Sequence, residues 1–294
     1  MHVFLTGGTG YIGSAVLRRL IADRHHVTAL VRSEASAAKV TEAGATALNG
    51  DVTDTSWLAE QMAQADGAIH TASPGDATSA AVDASVAEAA AKVYADTGKP
   101  YVHTSGIWVY GNGVSITEDT PFAAPDLVAW RAEIEAKVLG IAGARPVVIV
   151  PGVVYGRSGG IPNLISGAPR DGDGALTLVG DGYQHWVTVH VDDLADLYVR
   201  ALKGGRSGSY YIASDGHNPT VRELGSAVVR AAGTGFVHAK SPAETRARLG
   251  ELFADALLLD QRASGARARD ELGWQPGQPS LVDELERGSY APTA

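Results

Sequence analysis

The feature that most constrains this chain is the rhythm of its first half. Short runs rich in Val, Ile and Leu, near residues 2–6, 26–31, 45–48, 66–71, 100–104 and 146–150, alternate with longer, Ala-rich stretches. The runs have the length of strands. The stretches between them, at 11–23, 34–43, 55–63, 76–97 and 126–142, read as helices; in the first, Ile12, Ala15, Val16 and Leu20 recur near the 3.6-residue helical period. A strand that reaches its neighbour through a helix must run parallel to it, and the helices then cover both faces of the sheet. The expected fold class is therefore α/β, a doubly wound parallel sheet.

Beyond residue 154 the rhythm breaks into glycine-rich turns and short helical stretches near 190–203, 221–232, 243–249, 261–272 and 281–287, with 210–213 reading as a seventh strand. This predicts a sheet domain over 1–155. A smaller, irregular C-terminal lobe spans mainly 156–294, with segments near 190–213 returning to the sheet.

Charge and cysteine content narrow the partners. Lys and Arg number 24 against 33 Asp and Glu, a formal charge of −9. Nucleic acids and anionic membranes attract positive surfaces, so neither is expected as a partner. There is no cysteine, which excludes disulfides, thiol nucleophiles and thiolate metal sites. No apolar run approaches the roughly 20 residues of a membrane span. The expectation is a cytoplasmic monomer or homodimer acting on a small molecule.

Between the first strand and the first helix lies Thr6-Gly7-Gly8-Thr9-Gly10-Tyr11-Ile12-Gly13. Gly7 permits the tight turn out of the strand. Gly10 leaves room for a pyrophosphate against the backbone, and Gly13 lets the helix pack closely. The free N–H groups at the helix start bind the anion. Gly7, Thr9, Gly10, Tyr11, Ile12 and Gly13 are thus candidate dinucleotide contacts. At the end of the second strand, where an acid holds the ribose 2′-OH in NAD sites, this chain has Leu30, Val31, Arg32 and Ser33. A guanidinium beside a hydroxyl suits a 2′-phosphate, so Arg32 and Ser33 point to NADP(H).

At this point the sequence resembles the short-chain dehydrogenase/reductase superfamily, in its extended and atypical branches, which include nucleotide-sugar epimerases and dihydroflavonol-type reductases. The resemblance rests on Thr6–Gly13, Gly50-Asp51-Val52-Thr53-Asp54, Ile69-His70-Thr71-Ala72, Thr104-Ser105 and Val109-Tyr110-Gly111. It continues through Pro151-Gly152-Val153-Val154-Tyr155-Gly156, Val189-His190-Val191-Asp192-Asp193 and Leu272-Gly273-Trp274. It implies a Rossmann domain. It also implies that Asp51 and Val52 meet the adenine, and that Thr71, Ala72 and Ser73 line the ribose side. Thr104 joins the cofactor contacts, and Pro151, Gly152, Val153 and Val154 flank the nicotinamide.

The chain departs from the superfamily at the catalytic pair. Tyr-x-x-x-Lys, which sets both side chains on one helix face, occurs nowhere. If Glu135 matches the glutamate that follows the pair, Arg131 stands for the Lys and Leu127 for the Tyr. Arg131 can bond a ribose but cannot shuttle a proton. Ser105 is the candidate substrate-polarising hydroxyl, and Tyr110 a candidate donor beside the nicotinamide. Tyr155 and His103 are weaker candidates. His185 and His190 do not share a face of a strand, and no metal site is expected.

These residues describe an NADP(H)-dependent oxidoreductase that moves hydride to or from a small carbonyl or alcohol. The missing Tyr and Lys leave a non-catalytic NADP(H)-binding sensor as the alternative. A nucleotide-sugar epimerase or dehydratase is a further one, disfavoured because it needs a reversible acid/base.

Overall fold

The computed structural model describes residues 1–292. Five strands of the first half, β1 (His2–Thr6), β2 (His26–Val31), β3 (Thr46–Asn49), β4 (Gly67–His70) and β5 (Pro100–Thr104), join Arg145–Pro151 and Ser209–Ala213 in one sheet. The order is β3, β2, β1, β4, β5, Arg145–Pro151, Ser209–Ala213, and every pair is parallel. The chain reverses direction across the sheet between β1 and β4. Such a switch point opens a crevice at the strand C-termini, where ligands of doubly wound folds bind.

Helices cover both faces, as the alternation requires. On one face α1 (Tyr11–Ala22) buries Ala15, Val16 and Leu20 beside the helix Val191–Gly204, which adds Leu194, Leu197 and Tyr198. On the other, α3 (Thr55–Ala63), α4 (Ser79–Tyr94) and α5 (Arg131–Leu139) bury Leu58 and Met62, Val82 and Val86, and Ile134 and Val138. The alanines of α4 are used for close approach: Ala89 and Ala90 are fully buried, with α3 and α5 packed on either side.

Three sequence-based boundaries move. The stretch expected as one helix from 126 to 142 is a turn over 126–130, opened by Pro125, and then the nine-residue α5. Leu127 and Arg131 therefore do not sit one turn apart on a common helix. The expected helix at 261–272 begins as a strand, Gln261–Ala263, paired with Gly113–Ile116. Gly265, in the left-handed region at φ +66°, then turns the chain into a helix over Ala266–Leu272. The long helix expected from 76 starts at Ser79, because the Asp76 carboxylate accepts from the Thr78 N–H and hydroxyl and holds a turn there.

The C-terminal segments build a second core around Leu178, Trp186, Leu224, Leu257 and Leu281. The helix Val221–Ala232 is fixed by a reciprocal capping box between Thr220 and Glu223 and closed by left-handed Gly233. This lobe stands over the C-terminal ends of the strands through the parallel pair Val153–Tyr155 and Thr188–His190. A crevice is left between it and the glycine loop.

Candidate active site

The glycine loop forms the floor of a cleft of about 390 Å³. Its three glycines do three jobs. Gly7 lies at φ +77°, and a Cβ there would sit 2.6 Å from the Ala72 nitrogen. At Gly13 a Cβ would lie 2.0 Å from the Gly7 carbonyl oxygen and 2.6 Å from Thr71 Oγ1, so only glycine lets α1 start against the loop. At Gly10 a Cβ would meet nothing but the Gly7 oxygen, at 3.3 Å. The space beside Gly10 belongs to the cleft. No side chain caps α1 at Gly10, and its first turn carries no acid. The free N–H groups at the positive start of α1 face this cleft, which fits a dinucleotide pyrophosphate.

The other expected cofactor contacts divide. Thr9, Tyr11, Ile12, Thr71, Ala72 and Ser73 line the cleft with the loop, as do Val52 and Arg32 toward its far end. Arg32 is exposed and makes no ion pair among the described residues. Its charge helps hold the carboxylates of Asp51 and Asp76 below their usual range, although Thr53 and Thr78 hydrogen bonds do most of that. Asp51 itself binds Thr53 and does not line the cleft. Ser33 does not either: its hydroxyl caps the helix α2 (Glu34–Glu42), accepting from the Ser36 N–H at 3.2 Å. Ser36 lines the cleft in its place, one helical turn on. Thr104 lies beneath, sharing a 2.7 Å hydrogen bond with the Tyr198 hydroxyl.

A second cavity of about 280 Å³ shares Tyr11 and Ile12 with the first. Pro151, Gly152, Val153 and Val154 form one wall. Ile107, Val128 and Ile161 and the ring of Trp108 make it apolar, and Ser105, Arg131, the Tyr11 hydroxyl and the Trp108 indole are the polar groups of its lining side chains. The Tyr11 hydroxyl is committed elsewhere: it donates to the Gly156 carbonyl at 2.7 Å, and burial raises its pKa far out of the useful range.

Two buried polar layers lie behind this wall, and the sequence reading found neither. The first is centred on Asp83, which α4 brings under the C-terminal ends of β4 and β5. One Asp83 oxygen takes His70 Nε2 at 3.0 Å; the other lies 3.2 Å from Arg131 Nη1 and 3.5 Å from His103 Nε2. The same Arg131 nitrogen donates to the Thr104 carbonyl at 2.9 Å. His70 Nδ1 meets Thr6 Oγ1 at 2.6 Å, and His103 Nδ1 meets the Tyr101 hydroxyl at 2.9 Å. Burial alone would raise the Asp83 pKa, but the two imidazoles outweigh it and hold the carboxyl well below the usual range. Burial pushes His103 down to about 4, so it is neutral at pH 7.

The second layer is Glu135, on the next turn of α5 after Arg131. It is fully buried, and neither carboxylate oxygen finds a hydrogen-bond partner among the described residues. Burial pushes its pKa up to about 7, against the opposing pull of the Ser105 hydroxyl, the Arg131 charge and the Tyr210 hydroxyl. Ser105 Oγ is likewise buried without a partner. Tyr110, expected beside the nicotinamide, lines neither cavity. It packs edge-on against Phe122 with ring centroids 5.1 Å apart, and burial drives its hydroxyl pKa strongly upward. Tyr155 is tied to Asp215 at 3.0 Å and to the Pro279 carbonyl at 2.8 Å. Among the described residues no group of three or more His, Asp or Glu is placed to share a metal ion, and no helix is long and apolar enough to cross a membrane.

Fold and cleft together define a dinucleotide-binding protein of the Rossmann class. The profile of the NAD dependent epimerase/dehydratase family matches residues 3–213, and the chain belongs to that family. An uncharacterized protein of Schizosaccharomyces pombe is 31% identical over 298 residues, covering 99% of this chain and all of its own. A ketoreductase of Stigmatella aurantiaca that acts on 4-hydroxy-2-methyl-3-oxo-4-farnesyl-3,4-dihydroquinoline-1-oxide is 27% identical, over 91% of this chain and 85% of its own. Among solved structures, a dTDP-glucose 4,6-dehydratase from Streptomyces venezuelae with NAD bound superposes with a TM-score of 0.77 at 22% identity, covering 98% and 96% of the two chains. The human epimerase family protein SDR39U1 with NADPH gives 0.75 at 21%, covering 98% and 99%.

Proposed function

We propose that this protein is an NADP(H)-dependent oxidoreductase acting on a small, mainly apolar carbonyl or alcohol. The observation that carries this reading is the second cavity: about 280 Å³ of space, walled by Ile107, Trp108, Val128, Val153 and Ile161, and open onto the dinucleotide cleft. A sugar nucleotide would bring a diphosphate and several hydroxyls into that space, which offers Ser105, Arg131, the Trp108 indole and the committed Tyr11 hydroxyl as the polar groups of its side chains. A compact ketone or aldehyde needs only one donor for its oxygen. The ketoreductase among the relatives supports the same class of reaction.

A bound nicotinamide would supply or accept the hydride at C4. The chain's own groups do the rest. The N–H groups at the start of α1 hold the pyrophosphate, with Gly7 and Gly10 keeping the loop open to it and Gly13 letting α1 start against the loop, and Val52 offers an apolar wall to the adenine. Arg32 and Ser36 line the far end of the cleft, and a guanidinium beside a hydroxyl suits a 2′-phosphate, which supports NADP(H) over NAD(H). Pro151, Gly152, Val153 and Val154 exclude water from one side of the reacting carbon. Ser105 donates a hydrogen bond to the substrate oxygen, where charge develops during hydride transfer. Arg131, fixed by Asp83 and the Thr104 carbonyl, supplies a positive field beside it rather than a proton.

The test is oxidation of NADPH over a panel of aliphatic and aromatic aldehydes and ketones, with wild type and Ser105→Ala. Turnover is expected with small apolar carbonyls. Loss of the Ser105 donor lowers kcat by on the order of 10²–10³ and leaves NADPH affinity unchanged. One observation favours a second reading: Arg131 is already engaged, and no hydroxyl in the cavity has a pKa near neutrality. If NADPH binds tightly and no carbonyl in the panel turns over, the protein is a dinucleotide sensor.

A further inference from the structure

The missing Tyr-x-x-x-Lys leaves a reductase without an acid, and the fold places one where no motif announces it. We propose that Glu135 is the proton reservoir of the active site, delivering its proton to the substrate oxygen through the Ser105 hydroxyl. This deepens the oxidoreductase reading and rests on it.

The argument is geometric first. Glu135 is fully buried, and both its oxygens lack a hydrogen-bond partner among the described residues. An ionised carboxylate left so is among the costliest groups a protein can bury, whereas a neutral carboxylic acid is tolerable and carries a proton to give. The groups that face it come from five elements. Ser105 follows β5, Arg131 lies one turn earlier on α5, and Tyr210 is on the edge strand. Asp83 is on α4, and Tyr110 is in the turn over Ile107–Tyr110. Arg131 favours the carboxylate; Asp83 and burial favour the acid, and the balance puts the carboxyl at about 7, where it can both hold and release a proton. Tyr110 and Tyr210 are pushed too high to compete as donors. Of these groups, Ser105 and Arg131 line the second cavity. Ser105 Oγ is itself buried without a partner, its hydroxyl is among the groups that act on the Glu135 carboxyl, and Ser105 lines the space for the substrate.

The step balances. The carbonyl carbon takes the hydride that the reduced nicotinamide dinucleotide supplies, and the carbonyl oxygen takes the Ser105 hydroxyl proton. Ser105 Oγ takes the Glu135 proton, leaving an alcohol, the oxidised dinucleotide and a carboxylate. Water entering the cavity after product release returns the proton through Ser105. Glu135 never touches the substrate, so it is a positioning residue for Ser105's proton.

Two measurements test this. The first needs no turnover: an infrared pH titration of the protein with NADP⁺ bound, following the C=O stretch of a protonated carboxyl. Wild type should show such a band disappearing around pH 7, and Glu135→Gln, isosteric with the neutral acid, should lack it. The second is the pH profile of NADPH-driven reduction with the best substrate of the panel. Wild-type kcat should fall as pH rises through about 7. Glu135→Gln should lower kcat by roughly 10²-fold or more and remove the inflection, with NADPH affinity and the circular dichroism of the folded protein retained. A Glu135→Gln enzyme that keeps both the wild-type rate and its inflection overturns the relay while the reductase reading stands. So does a carboxyl ionised throughout pH 6–8. A normal carboxyl titration in a protein that reduces no carbonyl overturns the reductase reading, and the relay with it.

Discussion

The two cavities share Tyr11 and Ile12, yet they are built on opposite principles. The dinucleotide cleft is made of backbone: three glycines, an uncapped helix start and a strand crossover. The second cavity is made of side chains drawn from the turn after β5, the turn before α5, the start of α5 and the segments around 151 and 160, backed by Asp83 and Glu135. A backbone site is specified by what must be absent, a Cβ at three positions. A side-chain site is specified by what several distant segments bring together. The first kind can be broken at one position without unfolding the protein. The second has charges locked into the core, so a change to one of them also changes stability.

The sharpest way to break that contrast is to place a side chain on each side of it. Gly10→Val sends its branched side chain into the cleft, toward nothing but the Gly7 oxygen. NADPH binding should fall beyond detection in a fluorescence titration, with the circular dichroism and melting curve close to wild type. Asp83→Ala works the other way. It leaves Arg131 without its buried counter-charge, and removing one partner of such a pair typically costs about 3–5 kcal/mol. A destabilisation under about 1 kcal/mol by urea unfolding would show that the Asp83 layer is not structural.

The two buried carboxyls also respond to pH with opposite sign. The Asp83 pKa is lowered on folding, so its contribution is present above the unfolded value of about 4 and is lost as pH falls below it. The Glu135 pKa is raised from 4.5 to about 7. Below pH 4.5 the acid is neutral folded or unfolded and carries no penalty. As pH rises from there through 7, the unfolded chain ionises while the folded one resists, and stability falls by on the order of 3 kcal/mol. Unfolding free energies measured from pH 4 to 8 should therefore decline less steeply in Glu135→Gln than in wild type. Parallel curves would mean that Glu135 is not buried as an acid.

The same contrast governs what the sequence revealed. Gly7, Gly10 and Gly13 are legible because spacing alone dictates them: a turn, a gap and a close contact at fixed offsets between a strand and a helix. The alternation of runs gave the sheet for the same reason. Asp83, His70, His103 and Arg131 are spread over four elements, and no periodicity links them. Their only local sign was a His on each of β4 and β5, which reads equally well as core. Glu135 marks the register of the helix in the sequence, but nothing in the apolar pattern around it shows that it is fully buried. Tyr110 departs from its expected place for a related reason: a 3₁₀ turn after β5 sends its ring toward Phe122 instead of the cavity.

At the open end of the dinucleotide cleft the comparison can be sharpened with smaller effects. Arg32 is exposed and free of ion pairs among the described residues, so it adds charge without holding the fold. Arg32→Ala should weaken NADPH by roughly 10–100-fold, the range of one charge-assisted bond. NADH should be little affected and the melting temperature unchanged. Equal NADPH and NADH affinities in the wild type would overturn the NADP(H) assignment.

The finest test separates two serines three residues apart. Ser33 holds the N-terminus of α2 through the Ser36 N–H and stands outside the cleft, whereas Ser36 lines it. Ser33→Ala removes a cap worth about 1 kcal/mol, which in a chain of this size lowers the melting temperature by only about 1–4 °C, and NADPH affinity should hardly move. Ser36→Ala keeps the N–H that Ser33 caps and removes the hydroxyl that accepts from Ser33 at 3.1 Å and on the proposed reading meets the 2′-phosphate, so affinity should fall by about 2–10-fold with little change in melting temperature. Calorimetry and a cofactor titration on both variants read the two effects independently. A loss of affinity in Ser33→Ala as large as that in Ser36→Ala would move the phosphate contact back to Ser33. The boundary between the part of α2 that builds the fold and the part that reads the cofactor would then shift by one turn.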